Sequence, residues 1–242
     1  MIFDVITIFP KIFDSFLKES FIKRAQQKKL IKINIHNLRK WTTDKHRTVD
    51  DRPFGGGLGM VIKVEPVSRA VSTLKSKVKN QKSKVILFTP RGKKFTQQMA
   101  YKLSKLNQII MICGRYEGVD ERVAKYIADL ELSIGDYDLM GGELPAMVVI
   151  ETVARLIPGV LGKPELLKER ITKEKGFIEY PQYTRPEVFS PKKRVYWKVP
   201  KVLISGHHKK IADWRRKHQK VVAETPSHLP PRLVRRDSAI EK

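Results

Sequence analysis

Three stretches of this chain place glycines directly after apolar runs: FTPRG at 88–92, CGRYEGVDER at 113–122 and SIGDYDLMGGELP at 133–145. A residue without a Cβ lets backbone N–H and C=O groups come close to a ligand. Groups presented in this way suit the hydrogen-bonding edge of a flat ring such as a purine. Ligands of open α/β sheets bind outside the carboxyl ends of the strands. Three such loops at one sheet edge would therefore form a cradle, whereas one alone would read as turn glycines. A fourth stretch, HRTVDDRPFGGGLGM at 46–60, combines a basic start, two carboxylates, an arginine and a glycine run. Its mixture of donors, acceptors and free backbone suits a loop that closes over a polar ligand. Neither the P-loop pattern G-x-x-x-x-G-K-[ST] nor G-x-G-x-x-G after a strand occurs, so phosphates are not what the loops hold. Zinc-protease, serine-hydrolase and kinase signatures are absent as well.

The elements that must position these loops follow from periodicity. MIFDVITIF reads as a strand ended by Pro10, residues 11–29 have helical spacing, and KLIKINIHNL alternates as a half-buried strand. Residues 41–60 lose all periodicity, residues 65–76 return to a helical pattern, and KSKVKNQKSK is a polar basic connector. KVILFT is a buried strand stopped by Pro90, Arg91 and Gly92, and an amphipathic helix is expected over 93–106. QIIMIC is the next buried strand, and a helix runs from about Pro145 to Ile157. Strands separated by helices argue for an α/β domain with a mostly parallel sheet. That domain is expected over 1–161, followed by a charged linker at 162–176 and a small helical domain at 177–242.

Lys and Arg number 49 against 25 Asp and Glu, a net charge of +24. Such an excess favours a polyanionic partner, nucleic acid before an anionic membrane. From Leu161 to Lys242 there are 21 Lys and Arg against 9 Asp and Glu, half of the net charge in a third of the chain. No apolar run reaches the roughly 18–20 residues that span a bilayer. The start MIFDVITIFP lacks the basic lead and cleavage site of a signal peptide, so a cytoplasmic location without membrane attachment is expected. The single cysteine, Cys113, lies in an apolar run and reads as packing. Without a second cysteine neither a disulfide nor a cysteine zinc site can form, and no metal site is expected.

HRTVDDRPFGGGLGM, CGRYEGVDERV, SIGDYDLMGGELPAM, RLIPGVLG, YPQYTRPEV and SGHHKKIADWRR stand in this order. Together they resemble the bacterial tRNA (guanine-N1-)-methyltransferase family of the SPOUT class, from residue 1 to about residue 220. The resemblance implies a SPOUT-type α/β parallel sheet with a C-terminal trefoil knot, plus a small, mainly helical C-terminal domain. It implies a homodimer with active sites at the dimer interface. It further implies transfer of a methyl group from S-adenosylmethionine to N1 of guanosine 37 of tRNA, next to the anticodon. A non-catalytic RNA-binding relative, or a SPOUT methyltransferase acting on another RNA, are the alternatives.

By the same resemblance, Leu87, Phe88, Thr89 and Pro90, then Gly114, Tyr116, Glu117 and Gly118, would hold the methyl donor. Ser133, Ile134, Gly135, Asp136, Tyr137, Asp138, Leu139, Gly141, Gly142 and Pro145 would complete its site. The RNA would meet His46, Arg47, Asp50, Arg52, Gly55, Gly56, Gly57 and Gly59 in the long loop, and Arg185, Ser205, His207 and Arg215 near the C-terminus. Guanine N1 carries a proton at neutral pH, so a general base is expected. Charge that develops on O6 calls for a positive donor, and Arg155 matches the family's arginine in that role. The family's linker aspartate has no match in KERITKEKGF, where Glu169 is the nearest carboxylate, Glu174 lies behind it, and another base stays open. Leu58 stands where the family usually has proline, which should loosen the loop.

Overall fold

A computed structural model describes residues 1–77, 82–162 and 177–222. The chain divides into two compact units, Met1–Glu169 and Arg170–Lys242. In the first, five parallel strands form one sheet in the order β2-β1-β6-β5-β7: β1 Ile2–Thr7, β2 Lys32–Asn37, β5 Ser83–Lys94, β6 Gln108–Ile112 and β7 Leu130–Ser133. The short strands β3 Asp50–Asp51 and β4 Val61–Ile62 pair separately and antiparallel. This is the parallel α/β sheet expected from the alternation of strands and helices.

Alternate residues of each strand point to opposite faces. Phe3, Val5, Ile86, Phe88, Ile109 and Met111 meet one core cluster, while Ile6, Val85, Leu87, Ile110 and Ile112 meet the other. The first face is covered by α1 Asp14–Lys18, α2 Ser20–Gln27, α4 Gln97–Leu103 and α6 Glu143–Ala154. The second is covered by α3 Val64–Ser76 and α5 Glu121–Tyr126. Every residue of β6 is buried, as a central strand covered on both faces requires. One polar group interrupts the second face. Asp4 is buried on β1 and accepts hydrogen bonds from Asn34 (2.8 Å) and Gln108 (2.8 Å) and pairs with His36 (2.8 Å). Burial pushes the Asp4 carboxyl up, but these three partners outweigh it and hold it below the ordinary carboxylate range.

Three expected elements differ in detail. The helical pattern of 11–29 is split into a 3-10 turn at Pro10–Phe13 and two short helices. Glu19 is extended and Ser20 has φ 51°, and this break re-phases the second piece so that Ile22 and Ala25 reach the core. Strand β5 does not stop at Pro90. It runs to Lys94 with a register shift, because Lys93 and Lys94 pair with Leu132 and Ser133 of β7. Helix α4 consequently starts only at Gln97, where the Thr96 hydroxyl caps it by accepting from Met99 N–H (3.2 Å).

The second unit contains helices Lys201–Ile204 and His208–His218. Beside them stand strands the periodicity does not reveal: β8 Phe177–Glu179 with β11 Lys220–Val222, and the hairpin β9 Val188–Lys192 with β10 Val195–Lys198. Trp214 stacks on His218 (4.2 Å) and meets Tyr183 edge-on (6.2 Å), so it packs within this unit. No helix among the described residues is long and apolar enough to cross a membrane.

Candidate active site

β6, β5 and β7 are neighbours and parallel, so their carboxyl ends lie side by side. The chain leaving them forms an open pocket of about 420 Å³, a size that suits a small-molecule cofactor. Leu87, Phe88, Thr89 and Pro90 line it from β5, and Gly114, Tyr116, Glu117 and Gly118 from the loop after β6. Ser133, Ile134, Tyr137, Asp138, Leu139, Gly141, Gly142 and Pro145 line it from the loop after β7.

The loops after β6 and β7 are laced together. Gly142 N–H donates to the Gly114 carbonyl (3.0 Å). A Cβ on Gly142 would lie 2.7 Å from Cys113 Cα and 3.2 Å from Gly114 N, so only glycine lets these backbones approach. Beneath them, the Glu143 carboxylate is buried at the start of α6. It accepts from Thr7 Oγ1 (2.6 Å) and from Arg115 Nε (2.9 Å). Arg115 in turn lies over the Phe9 ring (4.8 Å), and it lines the pocket. Cys113 is buried in the same layer, and burial pushes its thiol far above the usual range, which leaves it a packing residue.

The loop after β6 is also joined to the long loop. Glu117 N–H donates to Met60 O (3.1 Å), Ile62 N–H to Gly118 O (3.0 Å) and Asp120 N–H to Ile62 O (2.9 Å). Tyr116 adopts φ 59° and stands near the Asp50 carboxylate. Partial burial, then the Asp50 carboxylate, push that phenol above its ordinary value. Gly59 packs against the Glu117 side chain, so the end of the 46–60 loop abuts a residue that lines the pocket.

The model of the tRNA (Guanine-1)-methyltransferase TrmD family matches residues 1–227. The chain belongs to this family. Similar proteins named tRNA (guanine-N(1)-)-methyltransferase include one from Citrifermentans bemidjiense, 49% identical over 95% of this chain and 90% of its own. Another, from Dictyoglomus turgidum, is 53% identical over 88% of this chain and 83% of its own. Among solved structures, the tRNA (m1G37) methyltransferase from Aquifex aeolicus superposes with a TM-score of 0.73 at 38% identity, covering 90% of this chain and 88% of that one. The fold of this methyltransferase family is thus the fold of the first unit.

Of the donor-site residues expected from the tRNA (guanine-N1-)-methyltransferase motifs, two lie outside the pocket lining. Asp136 turns outward to an ion pair with Lys94, and the Gly135 carbonyl accepts from Ser133 Oγ (2.8 Å). Arg91, Arg115, Val119, Glu121 and Met140, which stand inside the quoted motifs but are not among the residues expected to hold the donor, also line the pocket, as does Leu132 just before the third motif. Arg91 bridges Glu121 and Glu131 (3.0 Å), fastening β5 to β7 and to α5. The pattern could not announce Arg115, because an arginine after a glycine looks solvated until Glu143 is brought to it.

His46, Arg47, Arg52 and Gly55 to Gly59 are exposed along the long loop, and Asp50 sits half-buried on β3. Ser205 and His207 share the turn between the two C-terminal helices, with His207 N–H donating to Ser205 Oγ (3.2 Å). Arg215 lies over the Tyr180 ring (5.2 Å), and Arg185 is exposed in the same unit. Arg155 is the half-buried residue that closes α6. Glu169 lies outside the described residues, as does Glu174.

Two glycines separate close approach from conformational freedom. Gly142 has φ −81° but no room, whereas Gly56 has φ +83° and nothing within 4 Å. Gly142→Ala is expected to cost about 1–3 kcal/mol of stability through overpacking. Gly56→Ala should cost only about 1 kcal/mol, from strain in one exposed loop. Denaturant unfolding of both variants checks this, and equal losses would refute the packing argument.

Proposed function

We propose that this chain methylates N1 of guanosine 37 of tRNA with S-adenosylmethionine as the methyl donor, in the pocket at the carboxyl edge of β5, β6 and β7. The convergence of the three loops in a chain of this family carries the reading. The residues present fit the donor. Gly141 and Gly142 admit no Cβ, so backbone groups form that wall, as a purine edge requires. Glu117 and Asp138 line the same pocket with carboxylates, which would suit a cationic ligand. S-adenosylmethionine supplies a methyl group on a sulfonium, ready for displacement. The trefoil knot belongs to the same reading.

The chain's own work is alignment, proton removal and charge stabilisation. Holding both reactants in line supplies most of the acceleration in a single displacement. Arg155 stabilises the charge that grows on O6 as N1 loses its proton, and Glu169 takes that proton. The 46–60 loop, Arg185, Ser205, His207 and Arg215 hold the RNA, in keeping with a C-terminal region of net +12. A homodimer completes the site. Helix α6 is apolar on nearly every side, and Leu144 and Val148, one turn apart, are exposed. A helix hydrophobic all round is one that becomes buried. A tRNA-modifying enzyme of this kind works in the cytoplasm.

The test is transfer of labelled methyl from S-adenosylmethionine to unmodified tRNA with G at position 37, set against the same tRNA with A there. Transfer to the first alone is expected. Glu169→Ala run beside it should lose roughly 10²–10⁴-fold, the usual contribution of a general base. Full activity in that variant would remove Glu169 from the mechanism, and no transfer by the wild type would defeat the proposed reaction.

A further inference from the structure

The hairpin of β9 and β10 has features that neither the fold nor the donor pocket uses. Phe189 and Trp197 face each other across its strands, with ring centroids 5.7 Å apart. They remain 50% and 63% exposed, and Tyr196, next in the chain to Trp197, is 60% exposed. Successive residues of a strand point to opposite faces, so rings are open on both sides of the ribbon. Clustered exposed apolar side chains of this kind mark an interaction surface.

Charge says what would cover them. Lys192, Lys193, Arg194 and Lys198 lie on the hairpin, and no acidic residue stands between Val188 and Lys198. The same hairpin of a second copy would bring the same cations and be repelled. A polyanion would be attracted. The turn makes the same point. Arg194 adopts φ 68°, in the left-handed region where glycine or asparagine is the unstrained residue of a tight hairpin. The chain keeps a cation at its tip where a neutral residue would fit the backbone better.

We propose that the hairpin Val188–Lys198 is a second RNA contact, a platform on which unpaired bases stack against Trp197 and Tyr196 while Lys192, Lys193 and Arg194 meet the adjoining phosphates. This rests on the reading that the substrate is a tRNA, and it names a surface for it. A base must be free of its own partners to lie on a protein ring, so the platform takes loop nucleotides and not a duplex.

The experiment uses the full chain with three substitutions: Trp197→Ala, Tyr196→Ala and Arg194→Gly. The probes are unmodified tRNA with G at position 37 and a fully paired RNA duplex of similar length. Trp197→Ala is expected to weaken tRNA binding roughly ten-fold, the effect of losing one stacked base, and to leave the duplex within about two-fold. Its KM for tRNA should rise more than its kcat falls. Arg194→Gly should lower the salt dependence of tRNA binding by about one phosphate contact. Because glycine is at ease at that φ, its thermal stability should hold or rise, so a weaker complex cannot be blamed on unfolding. Affinity for tRNA within about two-fold of wild type in all three variants would overturn the proposal. So would a Trp197→Ala variant that changes the oligomeric mass in sedimentation without changing tRNA affinity, since the rings would then meet another copy. If the wild type binds tRNA but transfers no methyl, the proposed reaction fails, while a loss of binding in Trp197→Ala would still uphold the platform.

Discussion

Arg115→Ala lowers the midpoint of thermal unfolding by roughly 6–20 °C, the equivalent of about 3–5 kcal/mol for breaking a buried ion pair in a domain of this size. The Arg115 guanidinium is the charged partner of Glu143, whose side chain is only 1% exposed. Thr7 Oγ1 would remain as the one donor to a buried carboxylate among the described residues. Glu143→Ala should cost less, because the Arg115 side chain is 20% exposed and can regain water. The double variant should lose less than the sum of the two single losses, since removing both partners leaves no buried charge alone. Calorimetric unfolding of the three variants decides the matter. Additive losses would mean that the pair contributes nothing specific. The same ion pair ties β1, the loop after β6 and α6 together beneath the pocket, so both single variants should also lose affinity for S-adenosylmethionine.

Arg155→Ala lowers the turnover of methyl transfer by roughly 10²–10³-fold, as the loss of a donor aimed at a developing oxyanion does. Arg155 closes α6, with its backbone N–H donating to the Glu151 carbonyl (3.3 Å). Its helical position therefore survives truncation of the side chain. Arg155→Lys keeps a positive charge but loses the planar fork, and should recover only part of the rate. Single-turnover transfer and calorimetric donor binding separate the possibilities. An unchanged donor affinity with a slow chemical step is the expected result. If tRNA binding falls by the same factor as the rate, Arg155 holds RNA and does not act on O6.

Much of the pocket proposed for the methyl donor is legible in the order of the residues. Glycines at 114, 118, 141 and 142 follow strands whose apolar runs are too regular to mistake, and a parallel sheet puts such ends at one edge. The course of β5 beyond Phe88 is not legible in the same way. Pro90 and Gly92 are turn residues by every local rule, yet pairing with β7 carries the strand past them as an irregular stretch. The hairpin at 188–198 is hidden because its rings fall on both faces and a proline interrupts it, which masks any period of two.

The sequence by itself determined the parallel α/β architecture, the three loops that meet at its edge, the basic C-terminal region and the resemblance to its methyltransferase family. These are consequences of local pattern: apolar periodicity, glycine after a strand, and charge counted along the chain. The tertiary structure alone decided which charges are buried and which are free. Thr7 and Glu143 are 136 residues apart, and Arg115 lies 28 residues from Glu143. Read in sequence, nothing links the three. Folding places Glu143 where water cannot reach it, and only then does it need Thr7 and Arg115, because a buried carboxylate is stable when its charge is met by donors within hydrogen-bond reach.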